Sequence, residues 1–450
     1  MSLETARNDL TPWLGSLPND WRYTRIDNVA DVLFSNVDKH TIEDEEPIRL
    51  CNYVDVYNNE RITSSIDFME ATAEFRECKK FQIKRGDVLS TKDSETPDDI
   101  AISALVDDEL PNVLCGYHLA MMRPRSKKLY GPFLAWVHAS KQFRAQYEAK
   151  AVGVTRFGLP QYAFRSARLP LPPFSEQEII AAYLDASCAA IEAAVTTKRQ
   201  QIDTLGQVKT SIIETAVTLG LNSRARLARV DQDWLVSIPE HWTVKRIKRI
   251  VSQVDYGISM STEQEGKHPV LKMGNIQGGE IVFSKIEFVD DVDANLILAK
   301  NDLLYNRTNS PDQVGKAALF RGSNEDGITF ASYLVRLRVN HKISAEYLNY
   351  VVNCAGFLAF ARKLAIQSVQ QSNLNSTRYC QLFVPLPPLP EQYAICNYLD
   401  NKLAEMRQVV STIESQIDTL TAYREALIHE CVTGQRRITE ADLKRVMVHG

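Results

Sequence analysis

The chain has 450 residues, a formal net charge of −4 at pH 7 and a hydrophobic content of 44%. This length exceeds what one hydrophobic core usually serves, so it predicts two or more domains of an ordinary soluble globular protein. The acidic balance argues against indiscriminate adhesion to polyanions, although net charge says little about local patches. We see no signal peptide and no apolar run of membrane-spanning length, and we expect a cytoplasmic protein.

The eight cysteines are scattered along the chain without a single CxxC pair. This spacing signals neither a zinc ribbon nor a disulfide framework. We therefore expect reduced, mostly packed thiols and no metal site.

The first part of the chain, residues 13–168, mixes short β-favouring stretches with one amphipathic stretch near its end. Residues 81–90 predict a strand, and residues 133–149 predict a helix. This mixture indicates an α+β globular domain.

A long helix is predicted after the proline-rich hinge PLPP at residues 170–173. Ser175 and Glu178 have the spacing of a capping box at its start, and nothing breaks the pattern for some forty residues. Apolar residues then recur at heptad a and d positions. They are Cys188, Ile191, Val195, Ile202, Leu205, Ile212 and Ala216, with Lys198 and Lys209 in the same register.

The second half of the chain repeats the first. PLPPFSEQEIIAAYLD at 170–185 returns as PLPPLPEQYAICNYLD at 385–400, with ten of sixteen positions identical, where average composition would give roughly one. QIDTL recurs at 201–205 and 416–420, and the front segment 13–26 recurs at 234–247. One architectural unit has therefore been duplicated.

The second copy contains the same predicted elements. Residues 268–276 predict a strand, residues 344–364 predict a helix, and Pro390 suits the first turn of a second long helix. Its heptad positions keep the register of the first copy: Leu403, Met406, Val410, Ile413, Ile417, Leu420, Arg424, Leu427 and Cys431. A heptad pattern of this length needs a partner helix, and the nearest candidate is the long helix of the other copy. The paired helices would form a rod of roughly 60 Å.

The order, duplication and PLPPL-x-EQ-x-x-I-type motif resemble those of the specificity subunit of a Type I restriction–modification system. The motif stands at Pro170 to Ile180 and again at Pro385 to Ile395, with Phe174 and Ser175 replacing the Leu389 and Pro390 of the second copy. The resemblance implies two target-recognition domains at 1–168 and 226–383, each followed by a conserved helical region, at 169–225 and 384–450. It also implies that the two helices pair as an antiparallel coiled coil.

The resemblance further implies a non-catalytic reader of double-stranded DNA without a cofactor. Each recognition domain would read one half of a split, asymmetric target, and the helical rod would set the spacer. Two methylation subunits would dock on the assembly, and motor-nuclease subunits would join them in a restriction enzyme that defends against phage.

Two corresponding segments in each copy carry residues suited to base edges and phosphates. We single out Arg156 and Arg307, because an arginine can pair bidentately with guanine. Tyr117 and His118, aligned with Ser332 and Tyr333, are further candidates that could instead belong to the core sheet. The main candidates are Thr91, Lys92, Asp93, Ser94, Thr155, Arg156 and Phe157 in the first copy, and Asn306, Arg307, Thr308, Asn309, Gln370, Gln371 and Asn373 in the second.

A second set of residues around the hinge is identical in both copies, although the residues next to them differ. Packing of the hinge on the helix would explain the recurrence, and docking of a methylation subunit is the alternative. The set comprises Glu176, Gln177, Tyr183 and Asp185, with Glu391, Gln392, Tyr398 and Asp400.

The sequence offers little for chemistry by the chain itself. Leu171 to Phe174 imitates the tetrapeptide of an adenine methyltransferase, but leucine cannot accept the required hydrogen bond, and no phosphate-binding GxxxxGK[ST] is present. Two other functions stay open: a duplicated protein-interaction scaffold, and a DNA reader for a related phage-defence methylation system.

Overall fold

The computed structural model describes residues 17–230, 232, 234–367 and 371–449, without the side chain of His449. It divides into two compact units. Unit 1 consists of Met1–Lys198 and Glu414–Gly450, and unit 2 of Arg199–Ile413. Both divisions fall inside the long helices, whereas the domain boundaries expected from the sequence fall at the ends of those helices.

The main sheet of unit 1 has five strands, which are antiparallel except for the parallel last pair. A second sheet of three strands packs on one of its faces. The main sheet has the order Ala30–Phe34, Leu119–Pro124, Val88–Thr91, Ser103–Val106 and Arg61–Ile62; the second has the order Met69–Ala73, Glu46–Cys51 and Val113–Cys115.

Unit 2 repeats both sheets and adds one strand to the edge of the main one. The fold is therefore duplicated, as the sequence predicts. The main sheet has the order Val251–Tyr256, Leu334–Val339, Leu303–Asn306, Ala317–Leu319, Glu280–Ile281 and Ile276–Gln277; the second has the order Glu287–Val289, His268–Leu271 and Thr329–Phe330. A further pair joins Leu227–Arg229 to Ser237–Pro239.

The main sheet is a central layer with a core on each face. Ala120 and Met122 of its second strand pack with the helices, while Leu119 and Met121 pack with the second sheet. Side chains alternate across a strand, so a strand buried on both faces carries a continuous apolar run. In unit 2 this run is interrupted by Arg336, which is fully buried and paired with Asp255 at 2.7 Å.

The helix predicted at the end of each α+β part is broken in two. Ser140 interrupts it in unit 1 and Cys354 in unit 2, because both residues have extended backbone dihedral angles. The helices of unit 1 are Tyr53–Tyr57, Phe75–Phe81, Gly131–Ala139, Lys141–Glu148, Gln161–Ser166 and Glu440–His449; those of unit 2 are Ala345–Asn353, Ala355–Lys363 and Ser376–Gln381. Short 3-10 turns lie at Ile26–Asn28, Pro97–Asp99, Ile247–Arg249, Met273–Asn275, Ala294–Leu296 and Asn324–Asp326.

The first two residues of the proline-rich hinge in each copy end a strand. Arg168–Leu171 pairs with Arg22–Arg25, and Phe383–Leu386 pairs with Thr243–Arg246. Proline cannot donate to a ladder, which confines it to edge positions such as these. The hinge thus ties the start of each α+β part to the start of a long helix.

The first long helix is Phe174–Leu219 and the second is Leu389–Thr433. The predicted capping box at Ser175 is wrong, because the helix already begins at Phe174. The amides of Glu176 and Gln177 instead donate to the carbonyl of Pro173, at 2.9 and 3.1 Å. Pro390 lies in the first turn of the second long helix, as expected.

Within unit 1 the two long helices pack antiparallel. Lys198 Nζ donates to Gln416 Oε1 at 2.6 Å, and ten residues earlier Cys188 contacts Arg424. Earlier residues of the first helix thus lie beside later residues of the second, so the two helices run in opposite directions. In unit 2 the end of the first long helix packs with the start of the second, where Val217 shares a core with Ile395 and Leu399.

The predicted heptad positions form the covered face of each long helix. Ile191, Val195, Ile413 and Leu427 are buried, and Ile202, Leu205, Ile212, Met406, Val410, Ile417 and Leu420 are partly buried. Arg424 is partly buried because its guanidinium donates to Glu60 and lies 5.8 Å from the Trp136 ring centroid. Its counterpart Lys209 is exposed.

One expectation about apolar runs was too strong. The first long helix is long and apolar enough in composition to cross a membrane, although only 33% of its most apolar window is buried within the structure. A long core helix of a soluble protein has the same composition. In unit 1, Ile180, Leu184 and Ile191 of this helix share one hydrophobic core with Leu427 and Cys431.

Candidate nucleic-acid interface

The two candidate segments of the first copy meet in one small sheet. Asp93–Ser94 pairs with Phe157–Gly158, which in turn pairs with Val152–Gly153. Residues 152–158 form a hairpin, which we call the unit 1 hairpin. Because Thr155 and Arg156 at its tip are exposed while Phe157 is partly buried, the hairpin presents polar side chains to solvent.

Unit 2 brings its two candidate segments together in the same way. Thr308–Asn309 pairs with Ser372–Asn373, and this strand pairs with Ile366–Gln367. Asn373 Nδ2 also donates to Thr308 Oγ1 at 2.9 Å. We call the paired strands Ile366–Gln367 and Ser372–Asn373 the unit 2 hairpin. Gln371 is exposed, and the candidate Gln370 lies outside the described residues.

Lys92 and Arg307 occupy equivalent positions beside the hairpins. The amide of Lys92 donates to the carbonyl of His118 at 3.2 Å, and that of Arg307 donates to the carbonyl of Tyr333 at 3.0 Å. Their own carbonyls accept from Leu159 and Leu374, each at 2.8 Å. The same backbone bonds thus anchor one cationic residue to the base of each hairpin.

Each of these cations lies over an aromatic ring. Lys92 Nζ is 4.4 Å from the ring centroid of Tyr117 and 4.9 Å from that of Phe34, and burial lowers the pKa of its ammonium group. Arg307 Cζ is 5.1 Å from the ring centroid of Tyr256. Such contacts hold a cation in place while leaving its charge available.

Phe34 and Tyr256 are equivalent in the fold, although sequence comparison missed them. Phe34 pairs with Ala120, and Tyr256 pairs with Val335 at the matching position of the second copy. A register shift between Val251 and Gln253 adds one residue to the strand of unit 2. This shift breaks the constant spacing on which recognition of the pair from sequence would depend.

The weaker candidates are also at this surface. Tyr117 is 50% exposed and Tyr333 is 46% exposed, so neither is a core residue. His118 lies edge-on to Tyr117, with ring centroids 4.9 Å apart, and its Nδ1 is 2.7 Å from Asp93 Oδ2. Ser332 is partly buried.

Several candidates are corrected by their burial. Thr91 is fully buried at the end of a central strand, where its hydroxyl accepts from the amide of Ile102 at 3.1 Å. Ser94 is buried too and accepts from the amide of Thr96 at 3.4 Å. These hydroxyls and that of Thr308 are engaged within the protein, so direct contact with a base is excluded in this conformation.

The unit 2 site contains polar atoms without protein partners. Both side-chain polar atoms of Asn306 and the Nε of Arg307 are buried and lack a hydrogen bond to any described residue. The sequence analysis proposed Asn306 as a DNA-contacting residue. Its side chain is buried, so it does not contact DNA in this conformation. Asn309 is partly buried, and its side-chain oxygen accepts from the amide of Ser310 at 2.8 Å.

The two hinge glutamines are internal links, not exposed contact residues. Gln177 Oε1 accepts from the amide of Tyr130 at 2.8 Å, and Nε2 donates to the carbonyls of Lys128 and Pro172. Gln392 makes the same three bonds to Ser344, Lys342 and Pro387. Both side chains are buried, which favours packing over docking for this pair.

The recurrent acidic residues at the hinge also bind aromatic residues. Glu176 and Glu391 accept from the indole N–H groups of Trp21 and Trp242, each at 3.0 Å. Asp185 accepts from Trp136 at 2.8 Å and from Arg61 at 2.6 Å, while Asp400 accepts from the hydroxyl of Tyr350. Tyr398 is 41% exposed, and Tyr183 is partly buried and contacts Arg436.

A family model described as the Type I restriction modification DNA specificity domain matches residues 18–204 and again 239–417. The chain belongs to the Type I restriction modification DNA specificity family. Each match to the specificity domain begins at the front of one α+β part and ends within the following long helix. The duplication of sheets and hairpins is therefore a duplication of the specificity domain.

Relatives within the specificity family are distant. A Methanocaldococcus jannaschii protein named for a type I restriction enzyme MjaX specificity subunit is 28% identical over 202 residues, which cover 44% of this chain and 46% of that protein. The EcoKI specificity subunit of Escherichia coli K12 is 23% identical over 318 residues, 68% of this chain and 65% of the relative. The chain thus spans about half to two thirds of these relatives.

Two solved structures have the same fold. One, described as the structural basis of complex assembly and conformational transition of the type I R-M system, aligns with a TM-score of 0.70 and 16% identity. The HsdS subunit of Thermoanaerobacter tengcongensis aligns with a TM-score of 0.54 and 18% identity. Each alignment covers 93% of this chain and 98% of the other. At these identities the likeness establishes the fold of the specificity family.

Proposed function

We propose that this protein is the DNA-recognition subunit of a Type I restriction–modification complex. The observation that carries the proposal is the repetition, in both units, of a hairpin beside a cation held over an aromatic ring. Lys92 and Arg307 provide the cations, while the exposed side chains around them differ between the units. Equivalent frameworks with different side chains suit a target whose two halves differ.

We infer that each α+β part is a target-recognition domain with the boundaries 1–168 and 226–383. The helical regions 169–225 and 384–450 would form an antiparallel coiled coil whose length sets the number of unread bases. The antiparallel packing of the helices within unit 1 supports this arrangement. It would give the two domains the pseudo-twofold relationship that duplex DNA also has.

The recognition surface combines two kinds of contact. The exposed Arg156 of unit 1 and the partly buried Arg307 of unit 2 would pair with guanine edges or phosphates. Thr155, Gln371 and Asn373 would supply further donors and acceptors. Arg307 is favoured because it lies on the Tyr256 ring with its Nε unpaired. Lys92 would contribute mainly charge, since an ammonium group is a point cation.

We infer a non-catalytic cytoplasmic subunit that binds double-stranded DNA and two methylation subunits, with motor-nuclease subunits completing the restriction enzyme. The exposed part of the helical region, including Tyr398 and the neighbouring Tyr393, is the proposed docking surface. The acidic net charge predicts that binding of the isolated chain to DNA is weak and salt-sensitive.

The test is to co-express the chain with its candidate methylation subunit and to sequence host DNA for methylated adenine. A split, asymmetric motif with unread bases in its middle, lost when this chain is omitted, is the expected result. If the complex forms but no defined sequence motif is methylated, the proposal is contradicted. That outcome would favour the scaffold alternative.

A further inference from the structure

Both hairpins present an aliphatic residue to solvent at the same position. Val152 pairs with Gly158 in unit 1, and Ile366 pairs with Asn373 in unit 2. Val152 is 69% exposed and Ile366 is 54% exposed. Single exposed apolar residues are common on protein surfaces, but this exposure recurs at one structural position in two copies whose other hairpin residues differ.

Val154 at the tip of the unit 1 hairpin is 91% exposed, between Gly153 and the polar residues Thr155 and Arg156. The turn is tight, because a Cβ at Gly153 would lie 2.0 Å from the carbonyl oxygen of Arg156. A substitution at Gly153 would therefore open the turn. The close approach fixes the tip with the Val154 side chain outside the protein.

The surroundings of these side chains indicate what covers them. Lys92 and Arg156 lie in or next to the same small sheet as Asp93, whose carboxylate is 2.7 Å from His118 Nδ1. The two cations near the aliphatic tip suit a polyanion. A two-stranded ribbon fits the major groove of B-DNA, where thymine presents its C5 methyl group beside hydrogen-bonding edges. An aliphatic tip beside an arginine matches a groove that offers a methyl group beside acceptors.

We propose that the hairpins read the 5-methyl group of a pyrimidine in each half-site, through Val152 and Val154 in unit 1 and through Ile366 in unit 2. This inference rests on the proposed DNA-recognition function. The methyl group belongs either to thymine or to 5-methylcytosine. Contact with it would distinguish a T·A pair from the other three pairs by burial of apolar surface, without a hydrogen bond.

The test is a double-mutant cycle on the complex of this chain with the methylation subunit, using its own target duplex. Each thymine of the first half-site is replaced in turn by uracil, which removes only the methyl group. We expect one replacement to weaken binding about fourfold, the effect of one buried methyl group. The same replacement should have no effect on the Val154→Ala complex or on a Val152→Ala complex.

Ile366→Ala is the corresponding variant in unit 2. It should remove the effect of uracil at one thymine of the second half-site and leave the uracil effect in the first half-site unchanged. Val236→Ala, at a 75% exposed valine outside both hairpins, is the control and should leave every uracil effect in place. A second set of duplexes with cytosine replaced by 5-methylcytosine identifies the alternative source of the methyl group. If the methyl group belongs to 5-methylcytosine, this replacement should tighten binding of the duplex to the wild-type complex but not to the Val154→Ala complex.

The outcomes separate this inference from the function on which it rests. A complex without any preferred sequence would overturn both. A preferred sequence in which neither uracil nor 5-methylcytosine couples to the hairpin variants would overturn this inference alone. Increased fluorescence of 2-aminopurine beside the half-site, lost in Val154→Ala, would show a wedge that unstacks bases and would also overturn methyl reading.

Discussion

Gln177 Nε2 donates to the carbonyl oxygen of Pro172 at 3.0 Å, so a helix residue holds the hinge that immediately precedes it. Gln392 holds Pro387 in the same way at 2.8 Å. Each glutamine also bonds two backbone groups of the neighbouring α+β part. The α+β part and the helix of each copy are therefore joined through one buried side-chain amide.

Gln177→Ala should lower the free energy of unfolding of unit 1 by about 2–3 kcal/mol, because it leaves the partly buried amide of Tyr130 and the buried carbonyl of Pro172 without this partner. Chemical denaturation measures the loss. Glu178→Ala, an exposed neighbour on the same helix, is the control and should change stability by less than about 0.5 kcal/mol. Unchanged stability of Gln177→Ala with a lost methylation complex would instead support docking.

Arg123→Met should destabilise unit 1 by about 3–5 kcal/mol, because it leaves the carboxylate of Asp87 buried and unpaired. Arg123 and Asp87 are 2.6 Å apart, and Arg338 with Asp302 repeats the pair at 2.7 Å in unit 2. Thermal and denaturant unfolding measure the effect.

Arg125→Met is the matched control for this prediction. Arg125 pairs with Asp31 at 2.8 Å, but both side chains are about half exposed, and exposed pairs contribute roughly 0–1 kcal/mol. Equal losses from Arg123→Met and Arg125→Met would contradict the role assigned to burial.

The stability of unit 1 should fall as the pH decreases from about 6.5 to about 4. Burial lowers the pKa of His138 to about 4, so the unfolded chain binds a proton in this range that the folded protein does not. The stabilisation is complete above the unfolded pKa, and up to about 3 kcal/mol is lost as the pH approaches the folded value.

The free energy of unfolding of each protein is measured by chemical denaturation across this pH range and compared with its own value at pH 8. The loss at low pH gives the His138 contribution. His138→Asn should remove it. Tyr147→Phe should retain it, because the imidazole stays buried although the hydroxyl at 2.9 Å from its Nε2 is lost. Identical pH profiles for His138→Asn and the wild-type protein would exclude the histidine as the source.

Arg307→Ala should relax recognition of one half-site and leave the other unchanged, with a loss of about 1–3 kcal/mol in discrimination. Tyr256→Ala should have a smaller effect in the same half-site, because it removes the ring on which the guanidinium lies. Methylation sequencing of the complex is the measurement. Arg156→Ala should affect only the other half-site, and unchanged methylation at both would contradict these assignments.

The duplication, the long helices and the heptad faces could be predicted because their signals are local or repeat along the chain. The pairing of each candidate segment with its hairpin could not, since strands of two residues have no periodicity. The strand predicted at residues 81–90 stops before Thr91, whereas the observed strand Val88–Thr91 includes this residue and is buried on both faces. The Phe34 and Tyr256 pair was hidden by the register shift in unit 2.

The division of each long helix between the units has a consequence for synthesis of the chain on the ribosome. Unit 2 is one continuous stretch of sequence, whereas unit 1 needs residues from both ends. All residues of unit 2 are therefore available once residue 413 has emerged, while the first α+β part waits for the last segment with Leu427 and Cys431 to complete its core. A ribosome that stops near residue 413 would release a chain that contains all of unit 2 but lacks the last segment of unit 1.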